Sequence, residues 1–139
     1  MLNALDRYRD LGLLVLRLGI GLSYMNYGLP KLTGGPAAWG ELGQSMKYLG
    51  ITFAPVVWGF LAAMSEFFGG LALVVGGLFR VATFFLICTM VVATVQHFGR
   101  GDGYGGGAFH SIEFGIVCVS LFLMGPGKYS VDETLARKR

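Results

Sequence analysis

Eight side chains in this sequence are of types that bind, orient or protonate a ligand: Arg17, Tyr24, Lys31, Glu66, Thr94, His97, His110 and Glu113. All eight sit inside or at the edges of long apolar stretches. An ionisable group surrounded by hydrocarbon is penalised by about 2.5 to 3.5 kcal/mol on insertion scales, so it turns toward protein and finds a partner. A histidine and a carboxylate that meet water at one edge of such a region can exchange protons. Tyrosine and threonine hydroxyls can donate to a carbonyl, while arginine and lysine can neutralise a glutamate. On these grounds His97 and Glu113 are the expected catalytic, proton-exchanging pair. Arg17, Tyr24, Lys31, Glu66, Thr94 and His110 are expected to line the binding site.

Helical wheels at 100° per residue sort these groups into faces. In the first apolar stretch Arg17, Gly21, Tyr24, Gly28 and Lys31 share one narrow stripe. In the second, Gly59, Ala62, Ala63, Glu66, Gly69, Gly70 and Gly77 do so, and small residues let membrane helices approach closely. The third places Thr83, Met90, Ala93, Thr94 and His97 together, and the fourth His110, Glu113, Val117, Ser120 and Met124. Arg17 lies about 9 Å along its helix from Leu11, and Glu66 about 16 Å from Gly77. An arginine can bridge that difference, so an Arg17 to Glu66 ion pair is expected near the centre. Its plainer role is to fix the register of two helices.

The elements that must hold these groups follow from composition. Of 139 residues, 54% are hydrophobic and 14% charged, where soluble domains carry about a quarter charged, and mean hydropathy is +0.62. The solvent is therefore the bilayer, and the length allows a single domain, 1–139. Four stretches, about 11–31, 55–78, 80–98 and 108–125, approach the roughly 20 helical residues that cross hydrocarbon. Short glycine-rich connections between them force neighbours to run antiparallel. The expected fold is all-α, an antiparallel four-transmembrane-helix bundle. In the first outer connection Trp39, Leu42, Met46 and Leu49 recur at helical spacing, which predicts a short interfacial helix, resting on headgroups or closing as a lid.

Lys and Arg placement sets the direction. Arg7, Arg9, Arg80, Lys128, Arg137, Lys138 and Arg139 fall on one face, against Lys31, Lys47 and Arg100 on the other. Both termini are expected to be cytoplasmic, in the inner (plasma) membrane. A cleaved signal peptide is not expected, because the first apolar run is long and contains Arg17.

Other chemistries find little support. The net charge of +3 comes without a basic, aromatic-interleaved stripe, which excludes nucleic acid. Gly101-x-Gly103-x-x-Gly106 joins two apolar helices, not a strand and a helix, so it reads as a turn and not a dinucleotide site. His110 and Glu113 form one His-x-x-Glu pair, where a di-metal carboxylate site needs more carboxylates from further helices. No metal or flavin is expected. Cys88 and Cys118 lie off the polar stripes and read as small packing residues.

With these residues laid out, the chain resembles the DoxX family of small four-helix membrane proteins. The resemblance is carried by LRLGIGLSYMNYGLPKL in the first span, SEFFGGLALVVGG followed by Arg80 in the second, His97 at the end of the third, and Glu113 followed by GPGKYSVD after the fourth. It marks Arg17, Lys31, Glu66, His97 and Glu113 as candidate positions. It implies a role around quinones and thiol or sulfur redox chemistry, as a subunit of a membrane oxidoreductase system. In that picture His97 and Tyr24 donate to quinone oxygens, Glu113 exchanges protons with the outer face, and quinone is the bound redox molecule. The chain has no motif for an electron-entry cofactor, so a redox partner subunit is expected, with a homo-oligomer as a further possibility. The competing class is a non-catalytic scaffold, chaperone or carrier whose buried ion pair only fixes helix packing.

Overall fold

The computed structural model describes residues 6–138 and, among them, no strand. The chain forms α1 (Arg9–Thr33), α2 (Gly35–Gly43) with a 3-10 turn at Gln44–Leu49, α3 (Pro55–Val75), α4 (Phe79–Arg100), α5 (Gly107–Met124) and α6 (Val131–Ala136). The four long helices fall within a few residues of the expected stretches. Three of them, α3, α4 and α5, are long and apolar enough to cross a membrane by length and composition. The 25-residue α1 is the longest but carries Asp10, Arg17 and Lys31.

Glycine sets how closely α1 and α3 approach. A Cβ at Gly28 would lie 2.5 Å from the Phe67 nitrogen, and one at Gly70 would lie 2.6 Å from the Gly21 carbonyl oxygen. Residue numbers rise along one helix as they fall along the other, so the two run antiparallel. The same pattern joins α3 to α4 through Gly69 against Leu86, and α4 to α5 through Gly115 against Met90. Leu73, Phe79, Leu86, Cys118 and Leu121 fill the core between them. Gly70→Ala is expected to lower stability by about 1 to 3 kcal/mol through overpacking. Gly12→Ala, where a Cβ meets nothing within 4 Å, should leave stability unchanged or raise it. Thermal unfolding in detergent compares the two.

The expected interfacial helix exists, but it rests on protein. A Cβ at Gly43 would strike the Pro55 carbonyl, and one at Gly59 the Trp39 carbonyl. Trp39 stacks edge-on against Phe60 at 4.8 Å, and its indole donates to the Lys31 carbonyl at 3.0 Å. That carbonyl is among the last four of α1, which lack helical donors. Beyond α2, Tyr48 packs on Gly99 of α4, so the segment straps α1, α3 and α4 together at one end.

Candidate functional site

Arg17 is buried, as its stripe predicts, but it does not pair with Glu66. Its Nη1 donates to the Pro126 carbonyl at 2.6 Å and its Nη2 to the Tyr129 carbonyl at 2.7 Å. The expected ion pair fails on register. Gly28 is level with Glu66, whereas Arg17 sits beside Gly76, eleven residues and about 16 Å lower along the axis. The two apolar runs do not begin at the same height, which the depth estimate assumed.

The tail that receives Arg17 is tied down at further points. Asp132 accepts from the Leu78 and Phe79 amides, each at 2.9 Å, and its own amide donates to the Gly76 carbonyl at 3.0 Å. These bonds satisfy first-turn donors of α4 and hold Leu78 at φ 48°, a conformation costly for a non-glycine residue. Asp10 accepts from the Lys128 amide at 3.1 Å. The GPGKYSVD segment is thus a latch joining α1, the α3–α4 turn and α5.

Glu66 is neutralised instead by Lys31, whose Nζ lies 2.8 and 2.6 Å from the two carboxylate oxygens. Both were expected on inward stripes; their pairing was not. The side chains are 6% and 37% exposed for Glu66 and Lys31, so the pair sits deep at the carboxylate and near the surface at the ammonium.

The remaining candidates divide. Tyr24 is buried against Cys118, with Oη to Sγ at 3.2 Å, and against Phe114 at 5.2 Å between ring centroids. Cys118 is therefore inside the core beside a polar group, whereas Cys88 is exposed. His97 pairs through Nδ1 with Asp102 Oδ2 at 2.7 Å and packs over Gly107. Because Cys118 lies eleven residues beyond Gly107 on α5, Tyr24 and His97 are separated by about 16 Å in depth. They cannot donate together to one small ring.

On α5 the expected polar stripe does not face inward. The buried residues are Ala108, Ser111, Cys118 and Leu121, about a third of a turn from the His110–Glu113 stripe. His110 is exposed and meets Tyr27 at 5.3 Å and Phe114 at 4.4 Å, and Glu113 is exposed. Ranking residues by polarity misread this helix. The spacing of its small residues, which correctly oriented α3, carries the right signal.

What the structure does bring together is Thr94 and Ser111. Their hydroxyls are 2.9 Å apart, at one end of a groove of about 280 Å³ between α4 and α5, otherwise lined by Ile87, Met90, Val91, Val95, Ile112, Gly115, Ile116 and Val119. Thr94 also reaches the Met90 carbonyl at 2.8 Å, and Ser111 the Ala108 carbonyl at 2.9 Å. The two hydroxyl protons have three acceptors within reach, the Met90 and Ala108 carbonyls and the neighbouring hydroxyl, so a proton turns into the groove only when a hydroxyl gives up one of these bonds. Exposed Val91, Ile116 and Val119 at its mouth show that it opens sideways, on the apolar girth of the molecule. Ser111 and Asp102 were not anticipated: Ser111 hides inside an apolar run, and Asp102 in a loop read only as a turn.

Long apolar helices that expose Val, Leu and Phe around their girth, with Arg17 held by backbone carbonyls and Lys31 paired with Glu66, define an all-helical membrane protein in contact with the lipid bilayer. A family model described as DoxX matches residues 12–98, and the chain belongs to the DoxX family. It is also similar to the inner membrane protein YqjF of Escherichia coli (strain K12), at 28% identity over 141 residues, covering 96% of this chain and 99% of that protein. No solved structure matches.

Proposed function

We propose that this protein is a four-span inner-membrane subunit with both termini cytoplasmic, serving a quinone-linked or thiol- or sulfur-linked oxidoreductase system. On this reading it holds an apolar redox molecule such as quinone in the α4–α5 groove. The observation that carries it is the groove itself, apolar along its length and ending at the Thr94–Ser111 hydroxyl pair. A ligand site needs this combination of an apolar slot and a few orienting polar groups. Quinone, when bound, supplies the two-electron chemistry. Thr94 and Ser111 orient its carbonyl edge. His97, one turn above Thr94 and held by Asp102, passes protons between that end of the groove and water. Electrons arrive through a partner subunit. The cytoplasmic placement of the termini is supported by the Lys and Arg count, with Arg7, Arg9, Arg80, Lys128, Arg137 and Lys138 at that end against Lys31, Lys47 and Arg100 at the other.

The test is photolabelling with a quinone analogue in lipid nanodiscs. Labels are expected on α4 and α5 peptides. Gly115→Leu, which fills the groove, should weaken labelling at least tenfold. Thr94→Val or Ser111→Ala should weaken it by about twofold to tenfold, the value of a net hydrogen bond. Labels elsewhere, or full labelling of a folded Gly115→Leu protein, would overturn the reading. The scaffold alternative is favoured by the use of Arg17, Lys31 and Glu66 in fixing helices, and it stands if the folded protein takes up no analogue.

A further inference from the structure

The α1–α5 side of the molecule differs from the rest of its girth. Elsewhere the exposed mid-helix residues are mainly Val, Leu and Phe, such as Val57, Leu61 and Phe68 on α3 and Val81, Phe84 and Phe85 on α4. Between α1 and α5 the outward face also presents Gly12, Gly19 and Asn26 beside Val15 and Leu22 on one helix and Glu113 beside Ile116 on the other, all exposed. Neither Asn26 nor Glu113 has a side-chain partner among the described residues. Pro30 lies inside α1 and has no N–H, so the Asn26 carbonyl also loses its helical donor. Polar groups in this state do not persist against lipid; they face protein or water.

Asn26 and Glu113 also share a depth. The Tyr27 ring meets both His110 and Phe114, the residues that flank the Glu113 level on α5, and Asn26 adjoins Tyr27. Copies inserted with the same orientation are related by an axis along the membrane normal, so each residue meets only residues of its own depth. A two-fold interface is self-complementary: where residue i meets j, j meets i. We propose that a second copy of this chain covers the α1–α5 face, with the Asn26 amide of each protomer donating to the Glu113 carboxylate of the other. Gly19, which carries nothing within 4 Å of a Cβ position, lets the two α1 helices approach.

This dimer is independent of the groove, which opens between α4 and α5. Light scattering in mild detergent and energy transfer between donor- and acceptor-tagged chains in liposomes read it directly. The wild-type protein is expected to have the mass of two chains and to show transfer. Glu113→Leu and Gly19→Leu should weaken association at least tenfold with thermal unfolding of each chain retained, and Glu113→Gln should preserve the dimer. A one-chain mass without transfer for the wild-type protein overturns the proposal and leaves the face to lipid or another subunit. A mass above two chains, or a Glu113→Leu protein that still pairs as wild type does, overturns it as well.

Discussion

Lys31→Met is expected to destabilise the protein by about 2 to 3 kcal/mol, and Glu66→Met by only about 1 kcal/mol. The asymmetry follows from where each end of the pair sits. Glu66 is 6% exposed in its side chain, whereas Lys31 is 37% exposed. Removing the lysine strands a carboxylate in the interior between α1 and α3, the situation that costs about 3 to 5 kcal/mol when both partners are fully buried. Water near the Lys31 end reduces that figure. Removing the glutamate strands only an ammonium on a long stem, which can extend to the surface. The double variant Lys31→Met/Glu66→Met should return to within about 1 kcal/mol of wild type, because a well-packed apolar pair replaces buried charges at little net cost. Thermal unfolding of the four proteins in detergent measures this cycle. Equal losses for the two single variants, or a double variant as unstable as Lys31→Met, would show that the pair does not hold α1 on α3.

The inward faces of α1 and α3 were legible in the sequence. There, polar and small residues coincide on one stripe, and Arg17, Gly21, Tyr24 and Gly28 are all buried as that stripe requires. Which charge meets which was not legible, because a wheel fixes direction but not height. The contacts of Gly28 with Glu66 and of Gly76 with Arg17 depend on how far α1 slides along α3, and no local pattern encodes that slide. On α5 the two signals conflict. Small residues face inward while the ionisable ones face outward, so reading polarity as inward fails. The Thr94–Ser111 contact joins residues 17 apart in sequence and depends on the pairing of α4 with α5. It was half-visible, through Thr94 alone. The tail motif carried the family resemblance without showing its purpose, since the hydrogen bonds that Asp132 accepts from the Leu78 and Phe79 amides span more than 50 residues.

Arg17→Met is expected to release that tail before it unfolds the helices. The guanidinium spans two carbonyls that face it side by side, Pro126 at 2.6 Å and Tyr129 at 2.7 Å, in the planar fork geometry that lysine cannot reproduce. Hydrogen bonds from a charged donor contribute about 1.5 to 3 kcal/mol each. The buried Arg17 Nε, which has no acceptor, offsets part of this, so a net loss of about 2 to 4 kcal/mol is expected. The loss falls first on the segment that has few other ties: the latch retains Asp132 on the α4 start and Asp10 on Lys128, while α6 has no buried residue. Trypsin cleavage after Lys128 should therefore accelerate at least tenfold in Arg17→Met under conditions where helical content is unchanged. Arg17→Lys, able to reach one carbonyl at a time, should fall between. Asp132→Ala should loosen the same segment from its other side, and combining it with Arg17→Met should cost less than the two losses added, because both act on one latch. Unchanged cleavage in Arg17→Met alongside a lowered unfolding temperature would place the role of Arg17 in the helix core and not in the tail.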